Sequence, residues 1–93
     1  MNYITKSNNG HEYANTYVRI FDDNTVQLVS YVTTVIEITP DGWLHVNGLY
    51  TPTTKRHMGW FMRERGFTYQ LAKQLYHDHK DMNIYTGEVR DWE

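Results

Sequence analysis

Leu49-Tyr50-Thr51-Pro52-Thr53-Thr54-Lys55-Arg56-His57-Met58-Gly59-Trp60-Phe61-Met62-Arg63-Glu64-Arg65-Gly66 is the stretch where strand-like sequence gives way to a helix, and its reading decides the fold. Proline is tolerated at a helix start but not inside one. Thr51 or Thr53 can accept a bond from the first free backbone N–H groups, so a helix is expected over 54–65. Met58, Phe61, Met62 and Arg65 follow the three-and-four spacing of one face, while Lys55, Gly59 and Arg63 line up four apart on another. One face packs and the other is charged. Gly66 is the expected left-handed stop. Thr68 then caps a second helix over 68–79, with Leu71, Ala72, Leu75 and Tyr76 as a narrower apolar stripe.

Upstream of this stretch the chain has strand character. Ser7-Asn8-Asn9-Gly10 is a turn-rich opening, and Asn15-Thr16-Tyr17-Val18-Arg19-Ile20-Phe21 has the β-branched and aromatic content of a strand. Asp22-Asp23-Asn24 suits a turn, because Asp and Asn bond their own backbone and tolerate the left-handed region. A hairpin into Thr25-Val26-Gln27-Leu28-Val29-Ser30-Tyr31 follows economically. Thr33-Thr34-Val35-Ile36-Glu37-Ile38 either continues that strand through a bulge or pairs as its own, with Ile36 and Ile38 inward and Val35 and Glu37 on the other side. Pro40-Asp41-Gly42 marks a second hairpin. Its return strand, Trp43-Leu44-His45-Val46-Asn47, places Leu44 and Val46 on one face and Trp43 and His45 on the other. At the far end, 82–93 has a strand-like kernel at Ile84-Tyr85, either an added edge strand or a loose tail.

The expected fold is therefore α+β, a small antiparallel sheet of three to five strands with two helices packed on one face, in a single domain over 1–93. The expected core is Val18, Ile20, Val26, Leu28, Ile36, Ile38, Leu44, Val46, Met58, Phe61, Met62, Leu71 and Leu75.

Composition narrows the function classes. The chain has no cysteine, so no disulfide staples it and no thiolate serves as nucleophile or metal ligand, which suits a reducing compartment. The N-terminus lacks the apolar run of a signal peptide and no stretch of eighteen apolar residues occurs, so a soluble cytoplasmic protein with no membrane partner is expected. Eight Tyr and three Trp suit packing at sheet edges and equally an amphipathic contact surface. Although the formal net charge is −2, four of the nine Lys and Arg residues lie between Lys55 and Arg65.

That basic element is the first candidate site: Lys55, Arg56, Arg63 and Arg65 with Trp60 among them. Guanidinium groups pair bidentately with phosphate or carboxylate, and an indole offers stacking. The plainer reading is a solvated helix face whose Arg stems cover the sheet. A second candidate is acidic: Asp22, Asp23, Asp78, Asp81, Glu88, Asp91 and Glu93 imitate phosphates toward a cationic channel. His77 and His79 with Asp78 and Asp81 lack ligand spacing on a helix, and two carboxylates alone bind metal weakly, so neither a metal nor any other cofactor is expected. His57 near Thr53 or Thr54 lacks an oriented third group and an oxyanion site. A Thr53 to His57 contact fixing the helix start is the simpler account. No catalytic residues are assigned, and an enzyme is not expected.

Ser30-Tyr31-Val32-Thr33-Thr34-Val35, then Leu49-Tyr50-Thr51-Pro52-Thr53-Thr54-Lys55-Arg56-His57 with Phe61 and Glu64 ahead of Gly66, resembles a group of small proteins encoded by phages and related mobile elements of Gram-positive bacteria. Their shared pattern is a Ser-Tyr-x-Thr-x-Val strand before a Thr-Thr-x-x-His helix start. The match covers less than half of the chain. The spacing of Tyr31, Thr33, Thr53, Thr54 and His57 within it suggests polar contacts between that strand and the helix start, and the resemblance implies a protein that binds and blocks a host machine. The leading expectation is an inhibitor of a host defence nuclease, of the anti-CRISPR type, with a host protein or nucleoprotein such as an RNA-guided nuclease as partner. A nucleic-acid-binding regulator using the 54–65 helix and a structural accessory protein that self-associates, as a homodimer for instance, stand as alternatives.

Overall fold

The computed structural model describes residues 2–6 and 12–92, with side chains from Thr16 to Trp92. The expected turn at Ser7-Asn8-Asn9-Gly10 lies outside the described residues. The order of elements is β1 (Asn2–Lys6), β2 (Glu12–Ile20), β3 (Val26–Ser30), β4 (Thr33–Ile38), β5 (Trp43–Val46), α1 (Pro52–Glu64), α2 (Tyr69–Asp78), β6 (Lys80–Asn83) and β7 (Val89–Asp91). The strands form one antiparallel sheet of seven in sequence order. The fold is thus α+β with a small sheet, and the expected three to five strands are too few. The reason is local for β6 and β7: Lys80-Asp81-Met82-Asn83 and Val89-Arg90-Asp91 carry almost none of the β-branched and aromatic residues that mark the equally short β5.

Turn chemistry sets the register. At the β2–β3 hairpin Asn24 takes φ 74°. Asp23 Oδ1 accepts from the Thr25 N–H at 2.9 Å, the self-bonded turn that Asp-rich sequence favours. At the β4–β5 hairpin the Gly42 N–H bonds Thr39 O at 2.9 Å with φ 97°, a backbone state open to glycine. Asn83 then ties two hairpins together. Its Nδ2 donates to Asp41 O at 3.0 Å, and its Oδ1 accepts from the Tyr85 and Thr86 N–H groups. The expected strand kernel at Ile84-Tyr85 is for that reason the beginning of a turn, with strands on either side of it.

Register then stacks the apolar residues in rows. Val18, Leu28, Ile36 and Val46 are successive cross-strand partners, as are Ile20, Val26, Ile38, Leu44 and Met82. Against these rows lie Met58, Phe61 and Met62 of α1 and Ala72 and Leu75 of α2, in one hydrophobic cluster. Burying each large side chain contributes about 1.5–3 kcal/mol. Of the expected core, Ile20, Val26 and Leu71 are only partly buried. Val35, expected on the outer side, is fully buried. The β3–β4 register slips between Leu28 and Val29, which leaves Val35 as the extra residue of a bulge and lets it and Ile36 both turn inward.

α1 begins two residues before the expected position, because Pro52 occupies the first turn and Thr51 is the N-cap, its side chain accepting from Thr54 N–H. At the other end the Gly66 N–H bonds Arg63 O and the Phe67 N–H bonds Met62 O, the paired closure that a left-handed glycine permits. α2 is capped by Thr68 as expected. His79, expected as its last residue, is instead its C-cap at φ 55°.

Candidate functional site

The spacing of Lys55, Gly59 and Arg63 puts them on one side of α1, and the structure adds Arg56 and Tyr69 to make a shallow groove of about 360 Å³ between α1 and the start of α2. Lys55, Arg56 and Arg63 are exposed. Gly59 forms the floor: a Cβ there would sit 3.4 Å from Arg63 Nη1 and 3.6 Å from Tyr69 Cβ. Gly59 is itself buried beneath these side chains, and the flanking cations Lys55 and Arg63 have Cα atoms about 12 Å apart along the axis. Arg56 Nη2 lies 3.4 Å from Thr53 Oγ1, which aims it along the helix. Tyr69 walls the groove, and burial raises its hydroxyl pKa, keeping it neutral.

The two other expected members of this face lie elsewhere. Arg65 stacks its guanidinium 3.7 Å from the Phe61 ring centroid, donates to Phe61 O at 3.2 Å and stands 3.6 Å from Glu64. It covers the core. Trp60 is half-buried and does not line the groove.

The acidic candidates do not gather on one surface. Asp22 and Asp23 sit on the β2–β3 turn, and Glu88 follows the β6–β7 turn at the same end of the sheet. Asp78 is at the end of α2, where Gln74 Nε2 donates to it at 2.8 Å. Asp91 takes Lys80 Nζ at 2.6 Å, and that contact lowers its pKa. Asp81, expected as a solvated group, is buried within a polar cluster. Glu93 lies outside the described residues. Among the described residues no group of three or more His, Asp or Glu is placed to hold a metal ion.

The side-chain bond seen at His57 runs to the strand. His57 Nδ1 lies 3.0 Å from Ser30 Oγ, which lies 3.0 Å from Thr54 Oγ1, and Thr51 Oγ1 donates to Thr54 Oγ1 at 3.2 Å. A single donor direction serves every hydroxyl: Thr51 to Thr54, Thr54 to Ser30, Ser30 to an unprotonated Nδ1. Burial, then the nearby Arg56 charge, lowers the His57 pKa and favours this neutral ring. Ser30, Thr54 and His57 are each at most 3% exposed, so this hydroxyl–imidazole pair is sealed from substrate and acts as a post joining β3 to α1. The polar contact between strand and helix start is there, made by Ser30 rather than by Tyr31 or Thr33.

A further cluster on the opposite sheet face escaped sequence reasoning. Asp81 Oδ1 accepts from Trp92 Nε1 at 2.9 Å and meets His45 Nδ1 at 2.7 Å, while Arg90 Nε lies 3.6 Å from Oδ2. Trp92 is bracketed by the rings of His45 and His79, at 4.9 and 4.8 Å between centroids, and Arg90 lies 4.0 Å over Trp43. His45 and the Asp81 carboxylate that orients it resemble two members of a hydrolytic triad. The residues lining the adjoining depression, His45, Asp81, Arg90, Asp91 and Trp92, include no hydroxyl nucleophile. The cluster fastens the C-terminal strand. Trp92→Phe, which keeps the ring and removes the bond to a charged acceptor, is expected to cost about 2 kcal/mol in urea unfolding. An unchanged midpoint would show that the indole N–H holds nothing. Only the outward position of His45 was legible beforehand, since its partner is 36 residues away.

No helix among the described residues is long and apolar enough to cross a membrane. No curated protein and no solved structure matches the chain. Residues 2–79 match a family of unknown function, DUF8033, and with most of its length within that match this chain belongs to the family.

Proposed function

We propose that this is a non-enzymatic binding protein that blocks a nucleoprotein of a bacterial host by stoichiometric contact, with a defence nuclease, as for an anti-CRISPR, as its target. The observation that carries the contact is the shallow groove lined by Lys55, Arg56 and Arg63 together with Gly59 and Tyr69. Cations gathered along one shallow groove favour phosphate, and a blocker needs rigid surface more than reactive groups. The likeness to phage and mobile-element proteins supplies the host-defence setting and the bacterial cytoplasm as the place of action. The division of the acidic residues between separate places favours the basic face as the contact.

The same groove supports a second reading, a regulator that binds nucleic acid directly. One experiment separates the two. Purified protein is added in increasing ratio to an RNA-guided nuclease from a Gram-positive host, and cleavage is followed alongside binding to the free guide and target strands. Inhibition that saturates near one protein per complex supports the blocker. Binding to free strands with cleavage unaffected supports the regulator, and neither effect would remove both.

A further inference from the structure

The end of the molecule beside the Ser30–Thr54–His57 post carries two backbone outliers. Tyr31 has φ 58° and Tyr50 φ 52°, a region that L side chains rarely occupy. Tyr31 opens the two-residue loop between the paired Ser30 and Thr33, and glycine is the usual residue where the first loop position needs positive φ. Both tyrosines are 52% exposed, and Val32 beside them is 97% exposed. Packing does not demand these side chains. Strain of this kind collects at ligand sites, held by surroundings that over-determine it.

The surroundings here do so. Ser30, next to Tyr31, and Thr51, next to Tyr50, both bond Thr54 Oγ1, at 3.0 and 3.2 Å, so one buried side chain fastens both tyrosine loops. Tyr50 also rests on Gly48, where an added Cβ would come within 2.8 Å of the ring. Lys55 and Arg56 follow Thr54 directly. Between Asn24 and Arg63 the only carboxylates are Glu37, bonded to Gln27 in mid-strand, and Asp41, in the turn at the opposite end of the sheet. Two exposed rings thus stand on loops that meet at Thr54, the residue directly before Lys55 and Arg56.

We propose that this end binds single-stranded nucleic acid, with bases stacking on Tyr31 and Tyr50 and the following phosphates running past Lys55 and Arg56 toward Arg63. The proposal rests on the groove reading above and names its ligand. Stacking platforms beside a positive track fit a strand whose base faces are free, which a duplex does not offer. An acidic protein would satisfy the cations but give the two rings no stacking partner.

The test is fluorescence anisotropy with labelled oligo(dT) and oligo(U) of about ten nucleotides and a duplex of the same length, a size that spans a typical single-strand site. The wild type is expected to prefer the single strands. Tyr31→Gly and Tyr50→Gly should each weaken binding about tenfold while the denaturation midpoint stays level or rises, since glycine relieves the positive φ. Tyr31→Phe should bind as the wild type does. Four results would overturn the proposal: no oligonucleotide binding, preference for the duplex, Gly variants with unchanged affinity, or Gly variants with a lowered midpoint. Gly variants that keep oligonucleotide affinity but lose nuclease inhibition would overturn it in favour of a protein contact and leave the groove reading standing. Inhibition lost only on replacing Lys55, Arg56 and Arg63 would do the same.

Discussion

His57→Ala is expected to lower folding stability by about 3 kcal/mol, because it opens a cavity and strips a buried hydroxyl chain of its acceptor at the same time. The imidazole is 1% exposed and is bonded to the strand through Ser30 Oγ. Urea titration of the variant measures the loss. A change below about 1 kcal/mol would mean that the post carries no load. The pH dependence gives an independent check. Burial and Arg56 lower the folded-state pKa of His57 below its usual 6.5. Below 6.5 the unfolded chain therefore takes up a proton that the folded chain resists. The stability linked to neutral His57 is complete above 6.5 and declines as pH falls from there to the lowered folded value. His57→Asn keeps an amide near Nδ1 but cannot titrate, so its midpoint should fall less than that of the wild type between about pH 7 and about pH 5. Equal slopes would refute the buried neutral ring.

Joint replacement of Lys55, Arg56 and Arg63 by Glu should abolish oligonucleotide and nucleoprotein binding, a loss of at least about 100-fold, with folding intact. All three side chains are exposed, so reversing their charge is expected to leave the core intact. If three phosphates are neutralised, a single-strand slope of about 0.7 per contact predicts binding roughly 20-fold weaker on raising salt from about 50 to about 200 mM. The triple variant should lose that dependence. Arg65→Ala serves as the contrast, because its guanidinium lies on Phe61 and not in the groove: it should disturb stability and leave binding alone. Binding that survives the triple reversal, or that falls equally in Arg65→Ala, would remove the groove from consideration.

Much of the candidate surface was legible because it follows from helix geometry. Residues four apart share a face whatever they pack against, so Lys55, Gly59 and Arg63 could be aligned from their numbers alone. Spacing set Arg65 on the face of Met58, Phe61 and Met62, where it lies over Phe61, while charge content grouped it also with Lys55 and Arg63, 200° of helix turn away from Arg63. Tyr69, as the second wall, depended on how α2 folds back after Gly66. The strain at Tyr31 and Tyr50 had no sequence signal, since nothing in the residue types demands positive φ there.

The sequence by itself determined what local periodicity and turn chemistry can carry: the two helices with their Thr caps and the Gly66 stop, the hairpins at Asp22-Asp23-Asn24 and Pro40-Asp41-Gly42, and the inward faces of Ile36, Ile38, Leu44 and Val46. Tertiary structure alone decided what depends on partners distant in the chain. It recruited the short β6 and β7 into the sheet, turned Val35 inward through a bulge, joined Ser30 to His57, and buried Asp81 between His45 and Trp92. The physical reason is range. A short polar strand such as Lys80–Asn83 or a lone carboxylate has too little local preference to declare its state, and takes it from whichever neighbour the rest of the fold delivers.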